Sequence, residues 1–227
     1  MAPLPTRTSR VPALIAGFSR YLDAYTQKPA FTRAGQLEYH LETIALRRQL
    51  GSAIAAVSDE AFVRSLYRTL QAWGIGSRAS NLVPESEFAA RLQDKKAVLA
   101  ALDATAVDDP QLNPTRMGER LWRIIESLGI VHNNSRIVPG SKALHHILPE
   151  LVVPTDRAWT QQFFRWHNPE FQYGQAACFA HAFSAFVEIA RKANPQQYVG
   201  AGWNSSRTKV IDNALIGMLS EEKSLAS

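Results

Sequence analysis

The residues best suited to chemistry lie in one stretch of the chain, residues 137–164. Within it Lys142 and Asp156 stand 14 positions apart, with two histidines and Glu150 between them. An amine can attack an electrophilic carbon, and a carboxylate can stabilise positive charge or activate water. If the protein is an enzyme, we expect its active site in this stretch.

The local sequence predicts how these groups are held. Pro139 and Gly140 predict a tight turn, and Ser141 is expected to cap a short helix that follows it. Unpaired N–H groups at residues 140–142 would then form a site for an anion or a phosphate. An extended apolar segment leads to Thr155, the expected cap of a second helix whose dipole would keep Asp156 ionised.

Two segments carry a resemblance to a known family. Pro139-Gly140-Ser141-Lys142 resembles the hairpin of helix-hairpin-helix DNA glycosylases, and Val153-Pro154-Thr155-Asp156 resembles the family's Val-Pro-x-Asp segment. The order of turn, helix, apolar stretch and aspartate is also the family's order. The turn lacks the family's second glycine, and the spacing from Lys142 to Asp156 is shorter than usual. Because the family's cysteine cluster is absent, the resemblance is to the cluster-free members.

The resemblance implies hydrolysis of the N-glycosidic bond of a flipped, damaged or modified base in DNA, in base-excision repair or in defence against modified phage DNA. Asp156 would stabilise the oxocarbenium-like sugar or activate water, and Lys142 would form a Schiff base in an enzyme that is also a lyase. The residues implied for DNA binding are Pro139, Gly140, Ser141, Arg136 and Arg157, and those for the base pocket are Trp159, His145, His146 and Trp73.

Two other functions stay open at this stage. The first is a nucleic-acid-binding protein without catalysis, in which Asp156 only stabilises its helix and is replaceable. The second is a metal-dependent hydrolase or nuclease that uses His145, His146, Glu150 and Asp156. Adjacent histidines point about 100° apart on a helix, so at most one of them is expected to face a given site.

The elements that must position these residues are helical, because apolar residues recur three and four positions apart along most of the chain. The fold class predicted is all-α: a compact domain over residues 11–227, or two interleaved lobes joined near residues 103–113, after a flexible basic tail at 1–10. Trp73-Gly74-Ile75-Gly76-Ser77-Arg78 and residues 203–212 carry no pattern that we assign. Helices are predicted at residues 14–25, 34–50, 58–73, 85–102, 114–128, 173–192 and 206–219.

Composition limits the partners and the compartment. The 227 residues carry a net charge of +5 and a pI near 9.5, which permits DNA as a polyanionic partner. Cys178 is the only cysteine, which excludes a disulfide framework and a four-cysteine cluster and favours a cytoplasmic protein. No apolar run reaches the roughly 18 residues of a membrane span. We expect a monomer without a cofactor, a membrane anchor or a signal peptide.

Overall fold

The computed structural model describes residues 10–76 and 81–225, and within these ranges the chain is helical with no β-strand. The all-α prediction is confirmed. One antiparallel bridge, between Leu82 and Val131, joins two loops. The helices are α1 (Val11–Ala16), α2 (Phe18–Gln27), α3 (Gln36–Leu50), α4 (Ala53–Ser58), α5 (Glu60–Ala72), α6 (Glu85–Gln93), α7 (Lys96–Ala100), α8 (Pro114–Leu128), α9 (Ile137–Ile147), α10 (Thr160–Phe163), α11 (Asn168–Tyr173), α12 (Gln175–Ala193) and α13 (Arg207–Leu225), with a 3-10 turn at Pro195–Tyr198.

Local signals fix α8 at both of its ends. The side chain of Asn113 accepts a hydrogen bond from the N–H of Arg116, Pro114 occupies the first position, and Gly129 ends the helix. An asparagine side chain before a helix accepts a hydrogen bond from an N–H group that no carbonyl can reach. A proline in the first turn has no N–H group that needs a partner. These bounds are the ones predicted from the sequence.

Other predicted helices begin or divide at different residues. The helix expected from residue 14 to 25 is divided at Gly17 into α1 and α2, and the one expected from 85 to 102 is divided into α6 and α7. The helix predicted from residue 58 begins later, because Ser58 is the last residue of α4. The cap of α5 is Asp59, whose carboxylate accepts a hydrogen bond from the N–H of Phe62 at 2.8 Å.

The core is built on two helices that are buried on nearly all sides. Every residue of α9 except Val138 is buried, and α13 is buried from Thr208 to Leu219. Helix α13 packs most extensively against α2, while α8 packs against α12 and α3 against α5. Gly217 brings the α13 backbone against α2, because a β-carbon there would lie only 1.8 Å from the carbonyl oxygen of Tyr21.

The segment 103–113, predicted to join two lobes, is bonded to helices on both sides of it. The carboxylate of Asp103 accepts hydrogen bonds from the Arg47 side chain and the Ala53 N–H. The side chain of Arg191 donates to the carbonyls of Asp109 and Leu112. The segment is therefore attached to α3, α4 and α12.

The predicted tail lies outside the described residues at positions 1–9. Arg10, which we assigned to the tail, is bonded to the body: its side chain donates to the carbonyl of Gln162 and forms an ion pair with Glu222, each at 2.7 Å. Within residues 10–76 and 81–225, none of the helices is long and apolar enough to cross a lipid bilayer.

The close approach of α13 to α2 can be tested with Gly217→Ala. We expect a loss of more than about 3 kcal/mol in the free energy of unfolding, because the new methyl group meets backbone that can move only if the two helices separate. Urea denaturation measures the loss. Gly200→Ala, whose methyl group would enter open space, should cost less than about 1 kcal/mol, and equal losses in the two variants would contradict the packing described.

Candidate functional site

Lys142 and Asp156 meet at the edge of the core. Lys142 lies in the second turn of α9, and Asp156 follows residues 152–155, which have no regular secondary structure. The ammonium nitrogen of Lys142 is 3.1 Å from Oδ2 of Asp156, and their side chains are 5% and 21% exposed. The hydroxyls of Ser141 and Thr155, one residue earlier on each segment, are hydrogen-bonded at 2.6 Å. Two adjacent bonds therefore join α9 to the segment that carries the acid.

The Asp156 carboxylate is held by a turn rather than by a helix start. Its Oδ1 accepts a hydrogen bond from the N–H of Ala158 at 2.7 Å, and α10 begins only at Thr160. The prediction that Thr155 caps a helix is wrong. Burial alone would raise the pKa of Asp156, but the Lys142 ammonium and the Ala158 N–H lower it below its ordinary value. The carboxylate is therefore ionised at neutral pH.

The Pro-Gly turn predicted before Lys142 is wrong, because α9 begins at Ile137 and includes both residues in its first turn. The N–H of Gly140 donates to the carbonyl of Arg136 at 2.9 Å. Proline is tolerated in a first helical turn because no carbonyl is available to its nitrogen there. Gly140 lets α9 approach α8, since a β-carbon on it would lie 2.4 Å from Ile125.

Protein groups accept hydrogen bonds from the N–H groups of Arg136 and Ile137 at the start of α9. The amide oxygen of Gln175 accepts hydrogen bonds from the N–H groups of Arg136 and Ile137, at 2.8 and 2.9 Å. The three residues predicted to hold DNA through a turn, Pro139, Gly140 and Ser141, are buried. In this conformation they form no anion site.

The remaining predicted DNA and pocket residues lie nearer the surface. Arg136 is half-buried and donates to the carbonyl of Glu126, whereas Arg157 is exposed and contacts Asn168. The ring of Trp159 is half-buried beneath the ammonium of Lys223, at 4.3 Å. Arg157, the neighbour of Asp156, is thus the predicted DNA-binding residue with a solvent-exposed side chain.

A second lysine-aspartate pair lies deeper, on α13. The ammonium of Lys209 is 2.6 Å from Oδ2 of Asp212, and both side chains are buried. Burial lowers the pKa of Lys209 although Asp212 raises it, and burial raises the pKa of Asp212 although Lys209 lowers it. Four aromatic rings have centroids 5.0 to 6.0 Å from this ammonium: Phe31, Trp203, Trp73 and Tyr25.

Trp73 connects the two ion pairs. The ammonium groups of Lys142 and Lys209 each lie 5.5 Å from the centroid of its ring. The indole N–H donates to the carbonyl of Gln36 at 3.0 Å, and the ring is parallel to that of Phe31 within 7°. Trp73 is half-buried, so its ring borders both the ion pairs and the surface.

Three buried histidines lie next to Trp73, on the side of its ring that faces the core. The ring centroids of His145 and His146 are 6.4 and 5.0 Å from that of Trp73, and His40 from α3 lies 5.8 and 5.1 Å from the two rings. The prediction that at most one of the adjacent histidines faces a given site is wrong. Because α9 is buried around its circumference, both of its histidine side chains point into the core.

The metal-ligand set predicted from the sequence is not assembled. Glu150 forms an ion pair with Arg207, and Asp156 forms one with Lys142. No role was predicted from the sequence for four residues near this site: His40, Trp203, Lys209 and Asp212. The available signal for the last two was a lysine and an aspartate three positions apart, at the beginning of the mostly apolar run 210–219.

Comparisons of this chain with protein-family models, with curated proteins and with solved structures find no match. Function must therefore be argued from the site itself.

Buried ion pairs contribute little net stability, because desolvation offsets most of their attraction. Ionisable groups buried together beside a partly exposed carboxylate make this region the candidate functional site.

The cost of burying Lys209 and Asp212 can be measured by a double-mutant cycle with Lys209→Met and Asp212→Leu. We expect each single change to cost about 3 kcal/mol or more, because it leaves a buried partner unpaired, and the double variant to cost less than the sum. Urea denaturation supplies the four values. The exposed pair Lys192 and Glu188 is the control, with an expected coupling below about 0.5 kcal/mol. Additive losses at Lys209 and Asp212 would argue against the pairing.

Proposed function

We propose that this protein is a DNA N-glycosylase, which releases a flipped, damaged or modified base with Asp156 and Lys142 as its reacting pair. The observation that carries the proposal is the 3.1 Å contact between an ionised carboxylate and an amine, at a place where only the carboxylate is appreciably exposed. The likeness of residues 153–156 to the Val-Pro-x-Asp segment of helix-hairpin-helix glycosylases supports it. Residues 139–141, which lie inside α9, add nothing to it.

The chemistry follows from the charge that develops on the sugar. As the bond from C1′ to the base breaks, the base takes the electron pair and the sugar becomes oxocarbenium-like. The Asp156 carboxylate, which the Lys142 ammonium keeps ionised, stabilises this positive charge and orients the attacking water. The water gives its proton to the Asp156 carboxylate, which can pass it to the departing base, and the water oxygen forms the new bond at C1′. No cofactor is needed for these steps.

Lys142 gives the site a second route. If its neutral amine attacks C1′ in place of water, a carbon-nitrogen bond forms while the base departs with the electron pair. Loss of a proton from the nitrogen, with Asp156 as the nearest acceptor, and opening of the sugar ring produce an imine. Elimination from that imine would break the DNA strand. The proposed enzyme is then both a glycosylase and a lyase.

The surroundings of the pair suit a flipped base. A base that leaves the stack must be held by aromatic faces and hydrogen-bonding groups, and Trp73 presents a half-buried ring beside Lys142. The exposed guanidinium of Arg157 adjoins Asp156 and can meet a DNA phosphate. The net charge of +5 permits the same partner. Repair of damaged DNA and defence against modified phage DNA are the two roles that we propose.

Asp156→Asn tests the catalytic assignment. We expect release of the base from a panel of modified-base DNAs, read as alkali-labile sites, to fall by about 100-fold or more, while the fold and the affinity for DNA are kept. Asp108→Asn is the matched control, because Asp108 is also partly exposed and also forms an ion pair, in its case with Arg207. Normal turnover by Asp156→Asn would contradict the proposal. DNA binding without release by the unmodified protein would favour a binding module.

Trapping with borohydride tests the role of Lys142. Reduction of an imine fixes the protein to the DNA, so we expect a covalent adduct that Lys142→Met abolishes and that Lys192→Met, a change at the surface, leaves intact. Denaturing gel electrophoresis measures the adduct. An adduct that survives Lys142→Met but disappears in Lys209→Met would show that Lys209 is the nucleophile. The absence of any adduct would limit the enzyme to hydrolysis.

A further inference from the structure

The three histidines behind Trp73 have the geometry of a metal-ligand set. His40 comes from α3 and His145 and His146 come from α9, and none of the three is exposed. One ring nitrogen from each lies within 4.8 Å of the other two. Three nitrogens on one ion with bonds of 2.0 to 2.1 Å would stand about 3.3 Å apart. Shifts of the order of an ångström would bring the rings to that spacing.

Hydrogen bonds fix which nitrogens of His145 and His146 can bind a metal. Nδ1 of His145 is 3.0 Å from the carbonyl of Val152, and Nδ1 of His146 is 2.8 Å from the carbonyl of Lys142. A carbonyl only accepts, so each Nδ1 carries the proton and each Nε2 keeps a lone pair. Histidines that bind metals usually donate their other N–H to a carbonyl or a carboxylate in this way.

The lone pair of His145 is the unusual feature. Its Nε2 is buried, and no hydrogen-bond partner for it is found among the described residues. A buried acceptor without a partner costs free energy, and most such groups in proteins are satisfied. A bound cation at this nitrogen would remove that cost, which a purely structural histidine cluster leaves in place.

His40 can complete the set by a change of tautomer. Its Nδ1 is 2.9 Å from Nε2 of His146, and its Nε2 is 2.7 Å from the hydroxyl of Ser205. With the proton on Nε2, His40 donates to Ser205 and turns the lone pair of Nδ1 toward His146. Each of the three rings can then donate its proton to a protein oxygen and keep a lone pair on its other ring nitrogen.

The charge state of the cluster suits a transition metal. Burial lowers the pKa of all three histidines, that of His146 to about 4, so the rings are neutral at pH 7. Neutral imidazoles are the form that binds metals, and they favour zinc, copper, iron or nickel over magnesium or calcium. The neighbouring cations Lys142 and Lys209 are each paired with an aspartate, which limits their repulsion of an incoming ion.

We propose that His40, His145 and His146 form a binding site for a divalent transition-metal ion, with zinc as the expected occupant. Three protein ligands leave a fourth position on a tetrahedral ion for water or another ligand. The ion would join α3 to α9 directly behind Trp73. The site is independent of the proposed glycosylase chemistry, in which these rings take no part.

Titration of the metal-free, untagged protein with Co²⁺ and with Zn²⁺ tests the site. We expect one equivalent of Co²⁺ to produce visible d–d absorption, one equivalent of Zn²⁺ to displace it, and zinc to raise the Tm. His145→Asn should weaken binding by more than about 100-fold, because the asparagine amide can still donate to Val152 but the ligand nitrogen is lost. His181→Asn, a histidine outside the cluster, should bind as the unaltered protein does.

Two results would overturn the proposal. One is binding of less than one equivalent by a folded protein, and the other is unchanged affinity in a His145→Asn variant whose circular dichroism and unfolding are normal. Loss of binding in Glu150→Gln would instead move the site to the acidic set predicted from the sequence. Should His145→Asn fail to fold, His146→Asn provides the same comparison. All of these readouts are of metal binding, so they do not depend on whether the protein releases a base.

Discussion

Removal of ionisable side chains from water is the constraint on which the rest of this structure depends. The Lys209 and Asp212 pair, the ammonium of Lys142 and the three histidines occupy the core around Trp73. Desolvating two lysines and an aspartate costs several kcal/mol for each ion before their mutual attraction is counted. The helices that carry these groups must therefore be held by apolar packing elsewhere.

That packing is supplied by helices that approach one another very closely. Gly217 lets α13, the helix of Lys209, contact the backbone of α2, and Gly140 lets α9, the helix of Lys142, contact Ile125 on α8. Close-packed helices shift little, so the two amines are held at equal distances from the ring of Trp73. The glycines thus fix the positions of the charged side chains without touching them.

The sequence predicted features that depend on neighbouring residues and missed those that depend on distant ones. The bounds of α8 follow from its asparagine cap and its proline, and the all-α class follows from apolar spacing. Pro139 and Gly140 were assigned to a turn because locally they favour one, whereas packing against α8 and capping by Gln175 favour a helix. The pairing of Lys142 with Asp156 spans 14 residues, but His40 contacts His146 from 106 residues away along the chain, and Thr208, next to Lys209, contacts His145 from 63 residues away.

The exposure of the site residues constrains how a substrate would enter. Lys142 is nearly inaccessible, whereas Asp156 and Trp73, which contact it on two sides, are partly exposed. A ligand that approaches the amine from solvent therefore meets the carboxylate or the indole face first. In the function that we propose, the carboxylate would stabilise the developing charge of the sugar and the indole would stack on the base.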